Sequence, residues 1–123
     1  MDAQDLISRY ESGDRDFRGI DLSQADLSGI DLSQADLSQA DLRTANLSRA
    51  NLSQAILSEA NLSGTILKNA NLSQAILTDA DLSWADLFEA NLNEADLSRA
   101  TMNMAIMIRT RLKGATMPDG SKR

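Results

Sequence analysis

An apolar residue recurs at every fifth position through most of this 123-residue chain. From Leu22 to Leu97 it is always Leu, sixteen times in succession, and the same register extends back to Phe17 and forward to Met117. This register gives 21 five-residue units with no insertion or deletion between them. Any fold of the chain must therefore offer the same environment to one side chain in every five.

The positions around each centre are also regular. Two residues before the centre, sixteen of the 21 units have Ala, and fourteen have Asp or Asn directly before it. The residue after the centre is Ser in eleven units. Each unit thus has two apolar positions, two residues apart, with a short polar residue between them.

A period of five fits neither regular secondary structure. In an α-helix, five residues rotate the chain by about 140° beyond one turn, so successive Leu would make no stripe. Ala and Leu two apart would share one side of a strand, but strict alternation fails at the next unit. A short extended piece followed by a corner satisfies the pattern. Repeated corners wind the chain into stacked coils, which is the logic of a solenoid.

Units such as Ala25–Gly29, Ala45–Arg49 and Ala85–Glu89 resemble the pentapeptide-repeat family, whose motif is A(D/N)LxX. The resemblance covers residues 15–117, and the N-terminal stretch is similar to that of cyanobacterial members. It implies an all-β fold, a right-handed quadrilateral β-helix with about five coils of about twenty residues each. In that fold the centres of the units fill the interior. The core residues we name are Phe17, Leu22, Leu42, Leu62, Leu72, Leu82 and Met102.

The two ends of the chain depart from the repeat. Residues 1–13 are predicted to form an N-terminal capping helix, with Asp2 as N-cap and with Leu6 and Tyr10 on one face. The β-helix is predicted over residues 14–118, and residues 119–123, after Pro118, are predicted to be a flexible tail. Because the sequence shows no second capping helix, the last coil is expected to present a partly open edge.

Stacking the sequence at twenty residues per coil predicts a cluster of large apolar side chains outside the core, on one face near the C-terminal end. Clusters of this kind mark interfaces, and we predict that this one binds a protein partner, which could be a second copy in a homodimer. The alternatives are that the chain after Leu112 folds back and covers it, or that it stays a modest exposed patch. The residues are Ile66, Trp84, Phe88, Met104, Ile106 and Ile108.

The composition argues against catalysis. The chain has no Cys and no His, which removes disulfides, thiolate metal sites, and the commonest general base and zinc ligand. Carboxylates stacked as Asp21 near Asp41 give fewer oxygens than calcium requires, and hydrogen bonds to nearby backbone explain them better. We therefore predict no catalytic residues, no cofactor and no metal.

The N-terminus has no apolar h-region, and no apolar run has the length of a membrane span. We expect a cytoplasmic protein without membrane contact.

Charge is distributed unevenly along the chain, whose net charge is −6. Residues 1–41 carry ten acids and three bases (−7), while residues 99–123 carry one acid and six bases (+5). The net negative charge argues against direct nucleic-acid binding.

Two function classes follow. The first is a non-catalytic structural or protein-interaction module. The alternative is a DNA mimic that binds a topoisomerase such as gyrase, by resemblance to the quinolone-resistance pentapeptide proteins. The basic C-terminal end and the short rod disfavour the alternative, and a supercoiling assay discriminates between the two.

Overall fold

The structure is a computed structural model that describes all 123 residues. It contains one helix, α1 (Ala3–Glu11), and no strand longer than a single bridge. No helix of the structure has the length and apolar character needed to cross a membrane. Almost the whole fold therefore depends on how successive units pair with one another.

The units pair in four parallel ladders. All seventeen parallel bridges join residues twenty positions apart, and the ladders begin at Asp16, Asp21, Asp26 and Asp31. Four consecutive units thus bring the chain back to the ladder from which it started. We call each such segment of twenty residues a coil.

Backbone hydrogen bonds of constant pattern hold neighbouring coils together. Leu22 N–H donates to the Asp41 carbonyl at 2.7 Å, and Asp41 N–H donates to the Ile20 carbonyl at 2.9 Å. Within the unit, Ala25 N–H donates to the Leu22 carbonyl at 3.1 Å and closes a four-residue turn. The same three bonds recur along the rod, so the backbone groups of each interior unit have partners in the neighbouring coils or in their own turn.

Each corner depends on one residue in the left-handed region. The third residue of every turn has a positive φ, as at Gln24 (63°), and this holds at all twenty such positions from Gly19 to Gly114. A type II turn requires a positive φ there, and Gly or Asn normally supplies it. Only four of these twenty residues are Gly, so sixteen other residues adopt this backbone conformation.

The Asp and Asn residues of the repeat stabilise the corners. In all fourteen units that have one, its Oδ1 accepts the N–H of the residue two positions later, at 2.9–3.3 Å. This is an Asx turn, in which a short side chain mimics a backbone turn. The side chains that could have formed a carboxylate ladder for a metal are thus hydrogen-bonded within their own units.

Acid is expected to destabilise the fold by protonating these turns. The Arg18 side chain, and then its backbone N–H, lower the pKa of Asp16 from 3.8 to about 2. The Ser23 hydroxyl and N–H also lower the pKa of Asp21. A carboxylate whose folded pKa lies below its unfolded pKa adds stability above the unfolded value and loses it as the pH falls through the folded value. We expect a constant melting temperature above about pH 5 and a progressive fall from about pH 4 to pH 2.

A double variant, Asp21→Asn with Asp26→Asn, separates this effect from general acid denaturation. Asn keeps the Oδ1 acceptor but does not titrate, so its melting temperature should fall less between pH 5 and 2 by circular dichroism. An identical fall in both proteins would show that protonation of Asp21 and Asp26 is not part of the cause.

The interior is a column of Leu side chains lined by Ala. Phe17, Leu22, Leu42, Leu62, Leu72 and Leu82, which the sequence analysis assigned to the core, are buried. Met102 is only partly buried because it lies in the last coil, where no further coil covers it. The one buried polar residue, Thr65, replaces an Ala and donates its hydroxyl to the Leu42 carbonyl at 2.8 Å.

Helix α1 covers the first coil. Its N-cap Asp2 accepts the Asp5 N–H at 2.8 Å, and Leu6 is fully buried in the core of the rod. The Tyr10 hydroxyl donates to the Ser33 carbonyl at 2.8 Å, and the Arg15 guanidinium lies 3.6 Å from the centre of the Tyr10 ring. These contacts place the helix as a lid over the N-terminal end.

Residues 119–123, which the sequence predicts to be a flexible tail, take part in backbone pairing in the structure. Residues 117–120 form a turn in which Gly120 N–H donates to the Met117 carbonyl, and Lys122 then makes an antiparallel bridge to Thr116. Pro followed by Asp and Gly has the composition of a β-turn, and this signal outweighs the polarity of the segment. Residues 119–123 therefore pair with the last unit of the repeat.

Candidate interaction surface

We call the surface formed by Ile66, Trp84, Phe88, Met104, Ile106 and Ile108 the apolar face. The corners of the rod place Trp84 and Met104 at equivalent positions in consecutive coils, where they are 64% and 65% exposed. Ile66 and Ile106 lie on one ladder, and Ile108 follows it at the next corner with 60% exposure. Phe88 is half-buried. Five of the seven large apolar residues that the structure exposes belong to this face, so they are concentrated rather than scattered.

One carboxylate interrupts the apolar face, and it is already paired. Asp86 lies between Ile66 and Ile106 on the same ladder. Its carboxylate lies 3.6 Å from the Lys68 ammonium, and nearby Arg109 lies 3.4 Å from Glu89. A charge that has a partner within its own chain costs less to cover than an isolated one. The face can therefore accept an apolar partner without leaving these charges unpaired.

The chain after Leu112 leaves the apolar face open. The backbone hydrogen bonds of residues 121–123 run to residues 114–117 on another side of the rod, where Gly114 N–H donates to the Arg123 carbonyl and Met117 N–H to the Ser121 carbonyl. The alternative that this segment folds back over Trp84 is therefore wrong. The turn after residue 117 directs the chain back along its own unit.

Another corner of the rod shows what an ordinary solvent-facing column looks like. Gln34, Gln54 and Gln74 donate in sequence, each to the next, and the series ends at Glu94, with bonds of 2.9, 2.7 and 2.9 Å. These side chains satisfy one another and expose polar atoms to water. The equivalent column with Trp84 and Met104 has no such network, which makes its apolar character a local departure from the repeat.

A shallow cavity of ≈ 280 Å³ lies beside helix α1, lined by Ile7, Tyr10, Glu11, Ile30 and Asp31. The Ser33 N–H lowers the pKa of Asp31, which keeps this carboxyl ionised at neutral pH and unsuited to act as a general acid. Glu11 is exposed, and no nucleophile–base pair lines the cavity. The cavity supplies an apolar recess rather than the elements of a catalytic site.

The charge of the C-terminal end can be read from the sequence, but the identity of the unpartnered backbone groups there cannot. The backbone N–H groups of Met102, Met104, Met107, Arg109 and Leu112 have no acceptor in the structure. The end of the repeat is the sequence feature that indicates these groups. Each unit donates backbone N–H groups to the coil that follows it, and the last coil has no coil after it.

Comparison with solved structures finds pentapeptide repeat proteins. One from the cyanobacterium Cyanothece 51142, Rfr23, is 32% identical over 95% of this chain and 96% of its own length, with a TM-score of 0.76. One from the thylakoid lumen of Arabidopsis thaliana is 35% identical over 80% of this chain and 68% of its own, with a TM-score of 0.74. One from Nostoc Pcc 7120 is 38% identical over 93% of this chain and 78% of its own, with a TM-score of 0.50.

A search of curated proteins finds no match. The family model described as pentapeptide repeats matches residues 16–54, 55–93 and 80–117. These ranges contain all four ladders and all fourteen of the Asx turns described above. The chain belongs to the pentapeptide repeat family.

Proposed function

We propose that this chain is a non-catalytic protein-interaction module, a right-handed quadrilateral β-helix of about five coils that pairs with a second copy of itself through the apolar face. The observation that carries the proposal is the exposure of Trp84 and Met104 side by side, on a rod whose other corners are mostly polar. Trp is enriched among residues that dominate binding energy at interfaces.

A second copy of the chain suits this face because the same apolar surface on two chains can pack against itself. Two apolar faces brought together about a two-fold axis would bury Trp84 and Met104 against the same residues of the partner, an isologous contact. The Lys68–Asp86 and Arg109–Glu89 pairs are satisfied within each chain, so the contact leaves no lone charge between the copies. Because the ladders hold this surface rigid, association costs little conformational entropy.

The non-catalytic part of the proposal is supported by the chemistry of the side chains. Without His or Cys, a base or nucleophile would have to be an Asp, Glu, Ser, Lys or Tyr. The repeat Asp residues are acceptors in Asx turns, and several repeat Ser hydroxyls donate to the same carboxylates, as Ser23 does to Asp21 at 2.7 Å.

The DNA-mimic alternative, a binder of a topoisomerase such as gyrase, has less support. It requires an acidic surface along the whole rod, whereas residues 99–123 of this chain carry six bases and one acid, so its C-terminal end is basic.

Self-association can be tested with the single Trp of the chain as the reporter. Wild type should show a mass that rises toward that of a dimer with concentration, by size-exclusion chromatography with light scattering, and a blue shift of Trp84 emission over the same range. The variant Phe88→Ser keeps the reporter and should shift less. The double variant Trp84→Ser with Phe88→Ser should stay monomeric.

Ile76→Ser is the matched control, because Ile76 is also an exposed apolar residue but lies on a different ladder. It should dimerise like wild type. A monomer at all concentrations with water-exposed Trp84 emission, or equal loss of dimer in the Ile76 variant, would overturn the proposal that a second copy occupies the apolar face.

A further inference from the structure

The C-terminal end of the rod carries unpaired backbone N–H and C=O groups at Arg109, Thr110 and Leu112, to which an extended chain can pair. We call this set of groups the open register. Within the rod, each unit donates backbone N–H groups to the next coil. In the unit formed by residues 110–114, the Leu112 N–H has no acceptor, and neither does the N–H of Arg109 just before it. The Thr110 carbonyl receives no hydrogen bond. This edge therefore offers two donors and one acceptor in an arrangement that an extended backbone can satisfy.

The chain itself shows how such a register is filled. One unit later, Gly114 N–H donates to the Arg123 carbonyl, Arg123 N–H donates to the Ala115 carbonyl, and Met117 N–H donates to the Ser121 carbonyl. The segment 121–123 thus runs antiparallel to this unit, with Lys122 opposite Thr116. Residues 109, 110 and 112 stand in the same relation to their unit as residues 114, 115 and 117 do to theirs, five positions earlier. They are the unfilled equivalent of a pairing that the structure already makes.

The charge around the register selects the kind of segment that would fill it. The six ion pairs of the structure use other bases, namely Arg9, Arg18, Arg43, Lys68, Arg99 and Arg109. Arg111 and Lys113 flank Leu112 on the exposed side of the unit, and neither forms an ion pair. Lys122 and Arg123, equally exposed and outside those pairs, lie at the adjacent unit. A second copy meeting this end with its own C-terminal end would add like charge, whereas an acidic segment would find opposite charge.

We propose that this edge binds an extended acidic segment of a partner protein by antiparallel main-chain pairing with Arg109, Thr110 and Leu112. By analogy with Lys122 opposite Thr116, the middle residue of the bound segment lies opposite Arg111, and a Glu or Asp there forms a cross-strand ion pair. This site adjoins the apolar face, because Arg109 directly follows Ile108, but it contains none of the six residues of that face, so either proposal can fail alone.

The probes are three blocked five-residue peptides, Ser-Val-X-Val-Ser, in which X is Glu, Gln or Lys. Two-dimensional NMR of the full chain should show saturable shifts at the amides of Arg109 and Leu112, with affinity in the order Glu, Gln, Lys and about millimolar for Glu. Hydrogen exchange at these two amides should slow as the Glu peptide is added. Added salt should weaken the Glu peptide several-fold because its ion pair with Arg111 is exposed.

Arg111→Glu should reverse the order of the peptides, with the Glu peptide at least about fivefold weaker than on wild type. Arg49→Glu makes the same change in net charge at an exposed mid-rod position and should leave the order unchanged. A Glu peptide N-methylated at its second Val, the amide that would donate to the Thr110 carbonyl, should lose binding.

If the methylated peptide still binds, the contact depends on charge and not on main-chain hydrogen bonds, and the proposed pairing is wrong. Equal affinity for the three peptides, or no shift at Arg109 and Leu112 at saturating peptide, would overturn the site. In the double variant Trp84→Ser with Phe88→Ser, which lacks the apolar contact, protection of these amides that grows with protein concentration in the absence of peptide would assign the edge to a second copy and overturn the acidic segment.

Discussion

Leu72→Asp is expected to unfold the middle of the rod, while the same carboxylate at the adjacent Asn71 leaves the fold intact. Leu72 is fully buried in the Leu column, with coils above and below it. The substitution removes about 1.5–3 kcal/mol of apolar burial and adds the larger cost of placing a carboxyl group where no donor faces it. The sum approaches the whole stability of a domain, about 5–15 kcal/mol.

Asn71→Asp is the matched control. Asn71 already accepts the Ser73 N–H at 3.0 Å through Oδ1, and Asp makes the same Asx turn elsewhere in the repeat. Its ladder neighbours, Asn51 and Asn91, are uncharged, so the new carboxylate meets no like charge. Urea unfolding followed by circular dichroism should show the control within about 0.5 kcal/mol of wild type and Leu72→Asp largely unfolded without urea. A cooperative, wild-type-like transition for Leu72→Asp would contradict the assignment of the interior.

The core and the Asx turns could be predicted from the sequence because both are local consequences of the period. A Leu such as Leu62 recurs in one environment, and an Asp such as Asp26 is two residues from an N–H that it can reach in any tight turn. The twenty-residue coil could not be derived this way. Four units per coil came from the resemblance, and the ladders of the structure have that spacing.

The backbone conformation of the corners could not be predicted from the sequence of a single unit. The residue in the left-handed region is Gln at position 24, Trp at position 84 and Met at position 104, which are not residues that favour positive φ. Stacking of one coil on the next imposes this conformation, and a single unit does not contain the information. The same holds for the C-terminal end, where the unpaired N–H of Leu112 is a property of the stack.

The apolar face could be predicted only in part. Its members could be named because the positions of Trp84 and Ile106 follow from the coil length once that is assumed. The ion pair between Lys68 and Asp86, which lets the face be covered without leaving a lone charge, depends on side-chain geometry across coils. Sequence periodicity places residues on a surface, but it does not reveal which of them are already satisfied.

Leu6→Asp is expected to damage the rod from its N-terminal end only. Leu6 is the residue of α1 that enters the core, and a carboxylate there should detach the helix and expose the interior of the first coil. In a solenoid each coil contacts only its neighbours, so lost stability propagates weakly along the axis. We expect a loss of about 3 kcal/mol, as for a large-to-small core change, concentrated in the first coil.

Hydrogen exchange can locate this damage. The amides of Leu22 and Leu27, which donate to the second coil, should exchange much faster in Leu6→Asp, while that of Leu92 should keep its protection. Gln4→Asp places the same charge on an exposed residue in the first turn of α1, where the helix dipole favours it, and should change neither set. Equal loss of protection at Leu27 and Leu92 would mean that the rod unfolds as one unit. Unchanged protection at Leu27 would mean that the first coil is stable without its lid, and that capping of this end is not what α1 contributes.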